Sequence, residues 1–541
     1  MKRPVSIIGV ALVFIAGCFL RLQGLGNVLV FGDEIHALDV LRGHGYGWLF
    51  THFSFADTCI PLTLYYRAVM DTVGLNELWM RMPGAIAGCA TILLLAVFAW
   101  RRCGPPGSLL AAGMLAFSPY HVYLSREARP YPIVILLLLA ATMAIARWEE
   151  TSEPRWLQFA VAGSVLALYF HLLAMPYVGA LGGFVLWRTL RRSRQERIAV
   201  WRAGALLVLL CALLFLPAAP SMLSTVTARA GHGVPTFSAI QNGMYLFLTI
   251  GRNDWIWETA LAGAGFYWLG TRKSDGGLIG LLIACQVVFV LIARPTASDI
   301  AWVWARYVAL VLPLWILLIA GGVAGILNRI RVPYAPELLA LALVIAYAGY
   351  DSGLYGLGRN RNYLVHPIVM ARELDDPAVL SSLPIPAYYR QLAREPGSGG
   401  ILEMPLNMGL PLYDLEQRIH RRPIYSAGLG AGMWQDSFND VDGFRFRRML
   451  SVSGLAGSDL PIEYVVVHKA IANETGRVYR RLTEMPATAG LLAGFGFAFT
   501  PETLASLFGD GAELQQWAAK EWGRPVYEDS DVVVYPFHSF L

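Results

Sequence analysis

The sequence predicts a polytopic α-helical membrane protein of about eleven transmembrane helices, followed by a soluble α/β domain at the C-terminal end. Of its 541 residues 56% are hydrophobic and only 15% are charged, whereas a soluble domain carries about 25% charged residues. Apolar runs of roughly 16 to 23 residues recur between Val5 and Tyr350, and a helix needs about 20 residues to cross the hydrocarbon core. Because lipid offers the backbone no hydrogen-bond partner, these runs predict helices.

The edges of the apolar runs give the predicted spans. The segment 60–75 is apolar as well, but a span there would reverse the orientation of every later loop, so we expect a helix at the membrane surface. The glycine-rich run 321–325 predicts close packing between helices. The spans cover residues 5–22, 84–100, 107–124, 131–147, 157–171, 173–188, 203–219, 256–270, 277–293, 303–325 and 335–350.

Basic residues collect in alternate loops, and this asymmetry predicts the orientation. The loop 188–202 alone holds six Arg against one Glu. With eleven spans, the N-terminus and the basic loops are predicted to be cytoplasmic. Residues 23–83, the turn 125–130, the loops 220–255 and 294–302 and the tail are predicted to lie outside. The net charge of +5 is spread over separate loops, so it indicates no nucleic-acid partner. We expect an integral protein of the bacterial inner membrane.

Residues 1–350 and 351–541 are predicted to be separate domains, since Gly, Pro and charge become frequent after residue 350. In the tail, the apolar stretches at 400–405 and 462–468 are short, partly β-branched and bounded by turn residues, which predicts buried strands. Residues 384–393 and 501–508 are predicted to be helical. The tail therefore reads as one extracytoplasmic α/β domain.

Asp33 and Glu34 are the most informative residues, because two adjacent acids follow the first span at the predicted outer boundary of the membrane. A solvated loop acid would explain them without any function. Negative charge next to lipid head groups instead suggests a functional role for the pair.

Two further segments complete a pattern with this pair. Asn76–Gly88 contains Arg81-Met82-Pro83, and Ser125–Tyr131 reads Ser-Arg-Glu-Ala-Arg-Pro-Tyr. With the acidic pair, this order resembles the dolichyl- and polyprenyl-phosphate-sugar glycosyltransferases of the GT-C class, which include protein O-mannosyltransferases and lipid A aminoarabinose transferases. The likeness resumes at Arg306-Tyr307 and in the tail at 383–423, where a tyrosine pair precedes a strand ending Leu-Glu-x-Pro. Relatives usually have His-Pro-Pro where this chain has 57–61, Asp-Thr-Cys-Ile-Pro.

The resemblance implies an inverting glycosyltransferase that uses a lipid-linked sugar donor on the extracytoplasmic face. Asp33 and Glu34 would be catalytic, with Asp33 as the general base for the acceptor hydroxyl and Glu34 orienting it or raising its basicity by like-charge repulsion. A second set of residues would contact the donor phosphate and the substrate. Some relatives use a divalent cation at the acidic site, and here Asp33 and Glu127 would hold it as Mg²⁺ or Mn²⁺. A glycan, a lipid or a protein would be the acceptor. The second set is Glu127, Arg129, Tyr131, Arg306 and Tyr307.

Some of these residues also have a purely structural explanation. Glu127 would close its turn by pairing with a neighbouring Arg, and Arg306 would reach towards lipid phosphates from the end of a span. In the tail, the acids and tyrosines are as consistent with packing as with acceptor contacts; they are Tyr388, Tyr389, Glu403 and Tyr413.

Two other function classes fit the membrane topology. A transporter or flippase of a lipid-linked sugar would need polar groups or broken helices near the bilayer midplane, but the predicted spans are nearly free of charge. A non-catalytic membrane-anchored assembly protein would make Asp33 and Glu34 incidental. Neither the sugar nor the acceptor can be read from the sequence.

Overall fold

The structure is a computed structural model of the whole chain. It divides into two compact units, one of residues 1–26 with 43–357 and one of residues 27–42 with 358–541. The residues it describes are 4–26, 34, 37, 40–41, 44–53, 59–231, 233–237, 240–241, 243–244, 255–272, 275–295, 298, 301–350, 385–397, 399–404, 416, 419–420, 422, 424–427, 447–450, 462–469 and 511–537.

The first unit is helical throughout its described residues. Single turns of 3-10 helix at Leu172–Ala174, Leu216–Ala218 and Ala309–Val311 join some of the α-helices. The α-helices are α1 (Pro4–Leu22), α2 (Tyr46–Thr51), α3 (Ile60–Thr72), α4 (Glu77–Phe117), α5 (Pro119–Arg126), α6 (Tyr131–Thr151), α7 (Pro154–Phe170), α8 (Met175–Thr189), α9 (Arg194–Phe215), α10 (Ala219–Arg229), α11 (Trp255–Arg272), α12 (Asp275–Ala293), α13 (Ala301–Val308), α14 (Leu312–Leu327) and α15 (Ala335–Tyr350).

Among the described residues, seven helical stretches are long and apolar enough to cross a membrane. Each predicted span overlaps a described helix, although α7, α11 and α15, which overlap the predicted spans 157–171, 256–270 and 335–350, are not among these seven. The segment 60–75 contains α3, whose 13 residues are too few to cross a bilayer. The seven stretches are Pro4–Leu22, Glu77–Phe117, Tyr131–Thr151, Leu172–Thr189, Arg194–Ala228, Gly276–Ala293 and Val303–Leu327.

Helix α4 contains parts of two predicted spans, 84–100 and 107–124. Its backbone leaves helical geometry at Gly104, where φ is +77°, a conformation that glycine adopts without the steric strain of a Cβ. Pro105 and Pro106 follow directly. The second predicted span also ends early, because α4 stops at Phe117 and α5 begins at Pro119. Proline is well tolerated in the first turn of a helix but breaks a helix that precedes it.

Helix α4 lies in the middle of the unit and packs against α1, α6, α14 and α15. The predicted close contact at 321–325 is confirmed between α14 and α11. A Cβ on Gly322 would collide with the Leu261 carbonyl and would lie 3.1 Å from the Gly265 amide nitrogen. Small residues here let the two backbones approach closely, as is common between membrane helices.

The second unit contains a six-stranded mixed sheet of order β3-β2-β1-β4-β6-β5. Strands β1 to β4 are mutually parallel, β6 runs antiparallel to β4, and β5 pairs with β6 as a hairpin. The elements are α16 (Ala387–Leu392), β1 (Gly400–Met404), β2 (Ile424–Ala427), β3 (Arg447–Leu450), β4 (Ile462–His468), α17 (Gly511–Trp522), β5 (Tyr527–Glu528) and β6 (Val532–Pro536).

The two predicted strands of the tail, at 400–405 and 462–468, are β1 and β4 in the structure. Val465–Val467 in β4 and Val532–Val534 in β6 are all buried. Such runs of β-branched residues are typical of strands that are covered on both faces. The predicted helix 384–393 contains α16, whereas the predicted helix 501–508 lies outside the described residues.

Candidate functional site

The turn between α5 and α6 carries most of the predicted site residues of the first unit, and Pro119 shapes the approach to it. Ser118 caps α5 by accepting a 3.2 Å hydrogen bond from the His121 amide. Because Pro119 has no N–H, the Leu115 carbonyl four residues earlier has no helical donor. Nη2 of Arg21 donates a 3.0 Å hydrogen bond to that carbonyl in its place.

Arg21 is completely buried and joins the end of α1 to this kink. Its Nη1 donates to the Ala116 carbonyl at 3.1 Å, and its Nη2 lies 2.8 Å from Nδ1 of His121. Both terminal nitrogens of this buried guanidinium therefore have partners, as burial of a charged group requires, whereas its Nε has none among the described residues. Arg21 is therefore best explained as a structural residue that fixes the start of α5.

The turn itself is tied to two neighbouring elements. The Arg129 amide donates to the Glu127 carbonyl at 2.8 Å, and the Tyr66 hydroxyl of α3 donates to the Ala128 carbonyl at 3.2 Å. Nη1 of Arg126 donates to three carbonyls at the C-terminal end of α1, where helical carbonyls lack partners. These carbonyls belong to Leu20, Arg21 and Gln23, at 3.0, 3.3 and 2.7 Å.

Four side chains at this turn form what we call the Arg306 cluster: Tyr120, Glu127, Tyr131 and Arg306. The Arg306 guanidinium of α13 lies over the ring of Tyr131, 5.7 Å from its centroid. Tyr120 interacts electrostatically with the other three members. Each is at most 9% exposed. A guanidinium held in low dielectric beside aromatic rings binds phosphate oxygens strongly.

The sequence singled out Glu127, Tyr131 and Arg306, and the structure brings all three together. It also buries Arg129, two residues from Glu127. Tyr307 is involved in a different contact, since its carbonyl accepts a 3.0 Å hydrogen bond from Nε2 of Gln286. The side-chain role expected for Tyr307 stays a prediction.

The acidic pair is described only in part. Asp33 lies outside the described residues, and Glu34 is buried and belongs to the second unit. The catalytic assignment of both acids and the Asp33–Glu127 metal site therefore stay predictions.

Tyr120 and Tyr123 are site residues that the sequence did not single out. The Tyr123 hydroxyl donates a 3.0 Å hydrogen bond to Oε1 of Glu127, and this bond orients the carboxylate. The spacing of 120, 123 and 127 places these side chains on one face of a helix. The sequence contains this spacing, but the spacing indicates a shared face only if the helix is known to continue to Arg126.

A second polar group lies in the C-terminal unit. Glu403, Glu416 and His468 are buried, and one ligand atom from each lies within 4.8 Å of the others, which makes them a candidate metal site. Nε2 of His468 lies 2.9 Å from Oε2 of Glu403 and 3.5 Å from Oε2 of Glu416. The sequence left Tyr389 and Glu403 as either packing residues or acceptor contacts. Both are fully buried in the structure.

Comparisons with known proteins agree with the resemblance predicted above. Residues 61–218 match the family described as dolichyl-phosphate-mannose-protein mannosyltransferase. This stretch includes the turn between α5 and α6. No significant match was found among curated proteins.

Three solved structures that match the chain are distant from it in sequence. ArnT from Cupriavidus metallidurans in the apo state is 12% identical and has a TM-score of 0.51, covering 98% of this chain and 97% of its own. The same protein bound to undecaprenyl phosphate is 12% identical, with a TM-score of 0.49 and coverages of 99% and 98%. The Archaeoglobus fulgidus oligosaccharyltransferase tethered to an acceptor peptide is 11% identical, with a TM-score of 0.45 and coverages of 95% and 72%.

The likeness to apo ArnT extends over nearly the whole chain. It confirms the predicted fold class, a polytopic helical membrane protein with a C-terminal unit built on a mixed sheet. The resemblance predicted from the sequence is likewise confirmed. Residues 61–218 match the dolichyl-phosphate-mannose-protein mannosyltransferase family, and the chain has an ArnT-like fold.

Proposed function

We propose that this protein is an inverting glycosyltransferase that moves a sugar from a polyprenyl-phosphate donor to an acceptor hydroxyl on the extracytoplasmic face of the membrane. The observation that carries the proposal is the buried contact of Arg306 with Tyr131, at the turn that also holds Glu127 and Arg129. The match of residues 61–218 to a family named for a lipid-phosphate sugar donor supports the same chemistry.

The reaction needs a cationic site, because the leaving group gains charge as it departs. The acceptor oxygen forms a bond to the anomeric carbon while the bond from that carbon to the phosphate oxygen breaks on the opposite face. Polyprenyl phosphate leaves with one more negative charge than it carried in the donor. Arg306, and Arg129 beside the cluster, would stabilise that charge through charge-assisted hydrogen bonds.

The acceptor hydroxyl must lose its proton during the attack. We assign Asp33 as the general base that takes it, with Glu34 orienting Asp33. Glu127, held by Tyr123 at 3.0 Å, would accept a hydrogen bond from the sugar or acceptor. Asp33 is the residue that the experiment below tests.

The charge distribution along α6 supports an extracytoplasmic site. The Arg306 cluster lies at the N-terminal end of α6, where Tyr131 begins the helix. Its C-terminal end carries Glu149 and Glu150, and Glu150 pairs with Arg102 and Glu149 with Arg192. A helix of 21 residues is about 30 Å long. Because basic residues mark the cytoplasmic side, the cluster would face the opposite side.

The decisive experiment is a transfer assay with the full chain in lipid nanodiscs. A panel of radiolabelled polyprenyl-phosphate sugars is offered together with membrane and cell-wall extract. We expect one donor to lose its label to an acceptor with wild type and not with Asp33→Asn. NMR of the released product would show inversion at the anomeric carbon.

The same panel separates the other function classes. Donor binding with no transfer in wild type would refute the proposal and favour a flippase, which a vesicle assay with fluorescent lipid-linked sugar detects. Absence of both binding and transfer for every donor would favour an assembly protein. Full activity of Asp33→Asn with active wild type would refute the base assignment alone.

A further inference from the structure

The strand order of the second unit creates a switch point between β1 and β4. From β1 the chain proceeds to β2 and β3 on one side of the sheet, and it then returns to place β4 on the other side of β1. The four strands are parallel. In open sheets with parallel strands, ligands bind beyond the carboxyl ends of the strands at the position where the strand order reverses.

Glu403 and His468 lie at this position and on the same face of the sheet. Glu403, next to last in β1, pairs in register with Val466 of β4. His468 ends β4 two residues after Val466, and side chains two residues apart in a strand project to the same face. The sheet topology therefore brings a carboxylate and an imidazole together at the carboxyl ends of two central strands.

Glu416, from the segment that connects β1 to β2, adds a second carboxylate. Its Oε2 lies 3.5 Å from Nε2 of His468, which in turn lies 2.9 Å from Oε2 of Glu403. Ligand atoms bound to Zn²⁺ at about 2.0–2.1 Å in a tetrahedron are about 3.3 Å apart. These two separations lie on either side of that value, and all three ligand atoms lie within 4.8 Å of one another. Side-chain movements that shorten the separation of the two carboxylates would complete the coordination.

The two buried carboxylates of this group, Glu403 and Glu416, favour a bound cation. Both carboxylates are fully buried and His468 is 3% exposed. Two carboxylates that share a buried site repel each other, and positive charge between them relieves that repulsion. Oε1 of Glu403 is buried and has no hydrogen-bond partner among the described residues. A divalent cation would neutralise both carboxylates, and Oε1 of Glu403 could bind it as a ligand atom.

Tyr389 supports the group from α16. Its hydroxyl donates a 2.8 Å hydrogen bond to Oε2 of Glu403 and lies 2.9 Å from Nε2 of His468. Its ring stacks on His420, with 5.3 Å between the centroids. Residues that hydrogen-bond to metal ligands orient them and raise metal affinity. The Tyr389 hydroxyl would orient the Glu403 carboxylate in this way.

We propose that Glu403, Glu416 and His468 bind one divalent cation, with Zn²⁺ as the occupant. Imidazole favours Zn²⁺ over Mg²⁺ and Ca²⁺, while two carboxylates match its charge. Three protein ligands leave a fourth position for water or an acceptor oxygen. The cation would fasten the carboxyl ends of β1 and β4 to the segment between β1 and β2. None of these three ligands is a residue assigned to the transfer reaction, and the proposal does not depend on transferase activity.

The first test measures metal content in the tag-free full chain, purified in detergent and stripped with a chelator. We expect wild type to bind about one Zn²⁺ per chain by elemental analysis, and Mg²⁺ not to displace it. Glu403→Gln and His468→Gln should each lose this uptake. Glu528→Gln, which removes an exposed carboxylate of β5 that pairs with Lys469, is the matched control and should retain it.

A second variant separates ligation from general damage to the fold. Tyr389→Phe keeps the aromatic ring and removes the hydroxyl, and we expect Zn²⁺ affinity to fall by about 10- to 100-fold, the usual effect of losing an outer partner. If Glu403→Gln does not fold, the absorption spectrum of Co²⁺-loaded wild type still reports tetrahedral coordination. Wild type without saturable Zn²⁺ binding, or uptake that is unchanged in the ligand variants, would overturn the proposal.

Discussion

The guanidinium of Arg306 lies over the ring of Tyr131, with 5.7 Å between the guanidinium carbon and the ring centroid. The two residues belong to α13 and α6, which are far apart in the sequence. Each motif was recognised separately in the sequence, and their contact joins them in one buried cluster. This joint placement supports a shared role at the donor phosphate, and it allows the contributions of charge and ring to be measured one at a time.

Replacing Arg306 should impair transfer without unfolding the protein. We expect Arg306→Ala to lower kcat by about 10²- to 10³-fold, the range seen when a donor to a developing oxyanion is lost. Arg306→Lys should recover only part of this, because an ammonium group lacks the planar fork that binds phosphate oxygens. Arg155→Ala, which removes an exposed arginine paired with Glu153, is the control, and an equal loss there would contradict the assignment.

Replacing Tyr131 tests whether the ring or the hydroxyl matters. Tyr131→Phe keeps the face on which Arg306 lies, so we expect activity close to wild type. Tyr131→Leu removes a cation–π contact of about 0.5–2 kcal/mol, which corresponds to about a 2- to 30-fold loss in kcat/KM. The transfer assay measures both variants. An inactive Tyr131→Phe would show instead that the hydroxyl takes part in the reaction.

Much of the fold was predictable because its signals are local. The predicted strand 462–468 coincides with β4, and the predicted span 131–147 lies within α6. Apolar length and β-branched composition determine such elements without reference to distant residues. The exception is the predicted span 107–124, which α4 and α5 share because Pro119 interrupts the helix.

The candidate site residues could be named one by one from the sequence, but their grouping could not. Glu127 and Arg306 were recognised from motifs, yet no local pattern indicates that α13 packs near the turn after α5. The Glu403–His468 contact is a stronger case, because only the order β3-β2-β1-β4 makes β1 and β4 neighbours. Contacts between elements far apart in the chain depend on topology, which the sequence pattern does not specify.

Asp529, in the turn between β5 and β6, should make the stability of the C-terminal unit depend on pH. Partial burial alone would raise its pKa, but the amides of Val532 and Asp531, the Tyr527 hydroxyl and the charge of Lys469 outweigh burial and hold the pKa below its usual value. A carboxyl whose pKa is lower in the folded state stabilises the fold above its unfolded pKa, near 3.9, and loses that effect as the pH falls through the folded value.

Asp529→Asn should therefore flatten the decline in thermal stability between about pH 5 and pH 2, where the unfolded-state pKa is about 3.9. Circular dichroism of the full chain in detergent, read in the strand region, measures this decline. Asp531→Asn removes a charge from the same turn and serves as the control. A wild-type decline that is retained in Asp529→Asn would show that other carboxyls cause it.

Gly88 should be intolerant of any side chain, because α4 contacts α5 and α1 at that position. A Cβ there would collide with Oγ of Ser125 and would lie 2.7 Å from Cβ of Ser125 and 3.2 Å from Nε of Arg21. Both neighbours are fully buried and cannot move away. We expect Gly88→Ala to lower the free energy of unfolding by about 1–3 kcal/mol, as overpacking does.

Gly182→Ala provides the matched control within α8, because a Cβ there meets no atom within 4 Å. Alanine is the better helix former by about 0.5–1 kcal/mol, so this variant should be as stable as wild type or slightly more stable. Thermal unfolding in detergent measures both. Since Ser125 immediately precedes Arg126, which ties the Glu127 turn to α1, Gly88→Ala should also lower transfer activity at temperatures where the variant is still folded. Equal stability of the two variants would mean that α5 can shift away from α4 without loss, and the turn would then be less rigid than its hydrogen bonds imply.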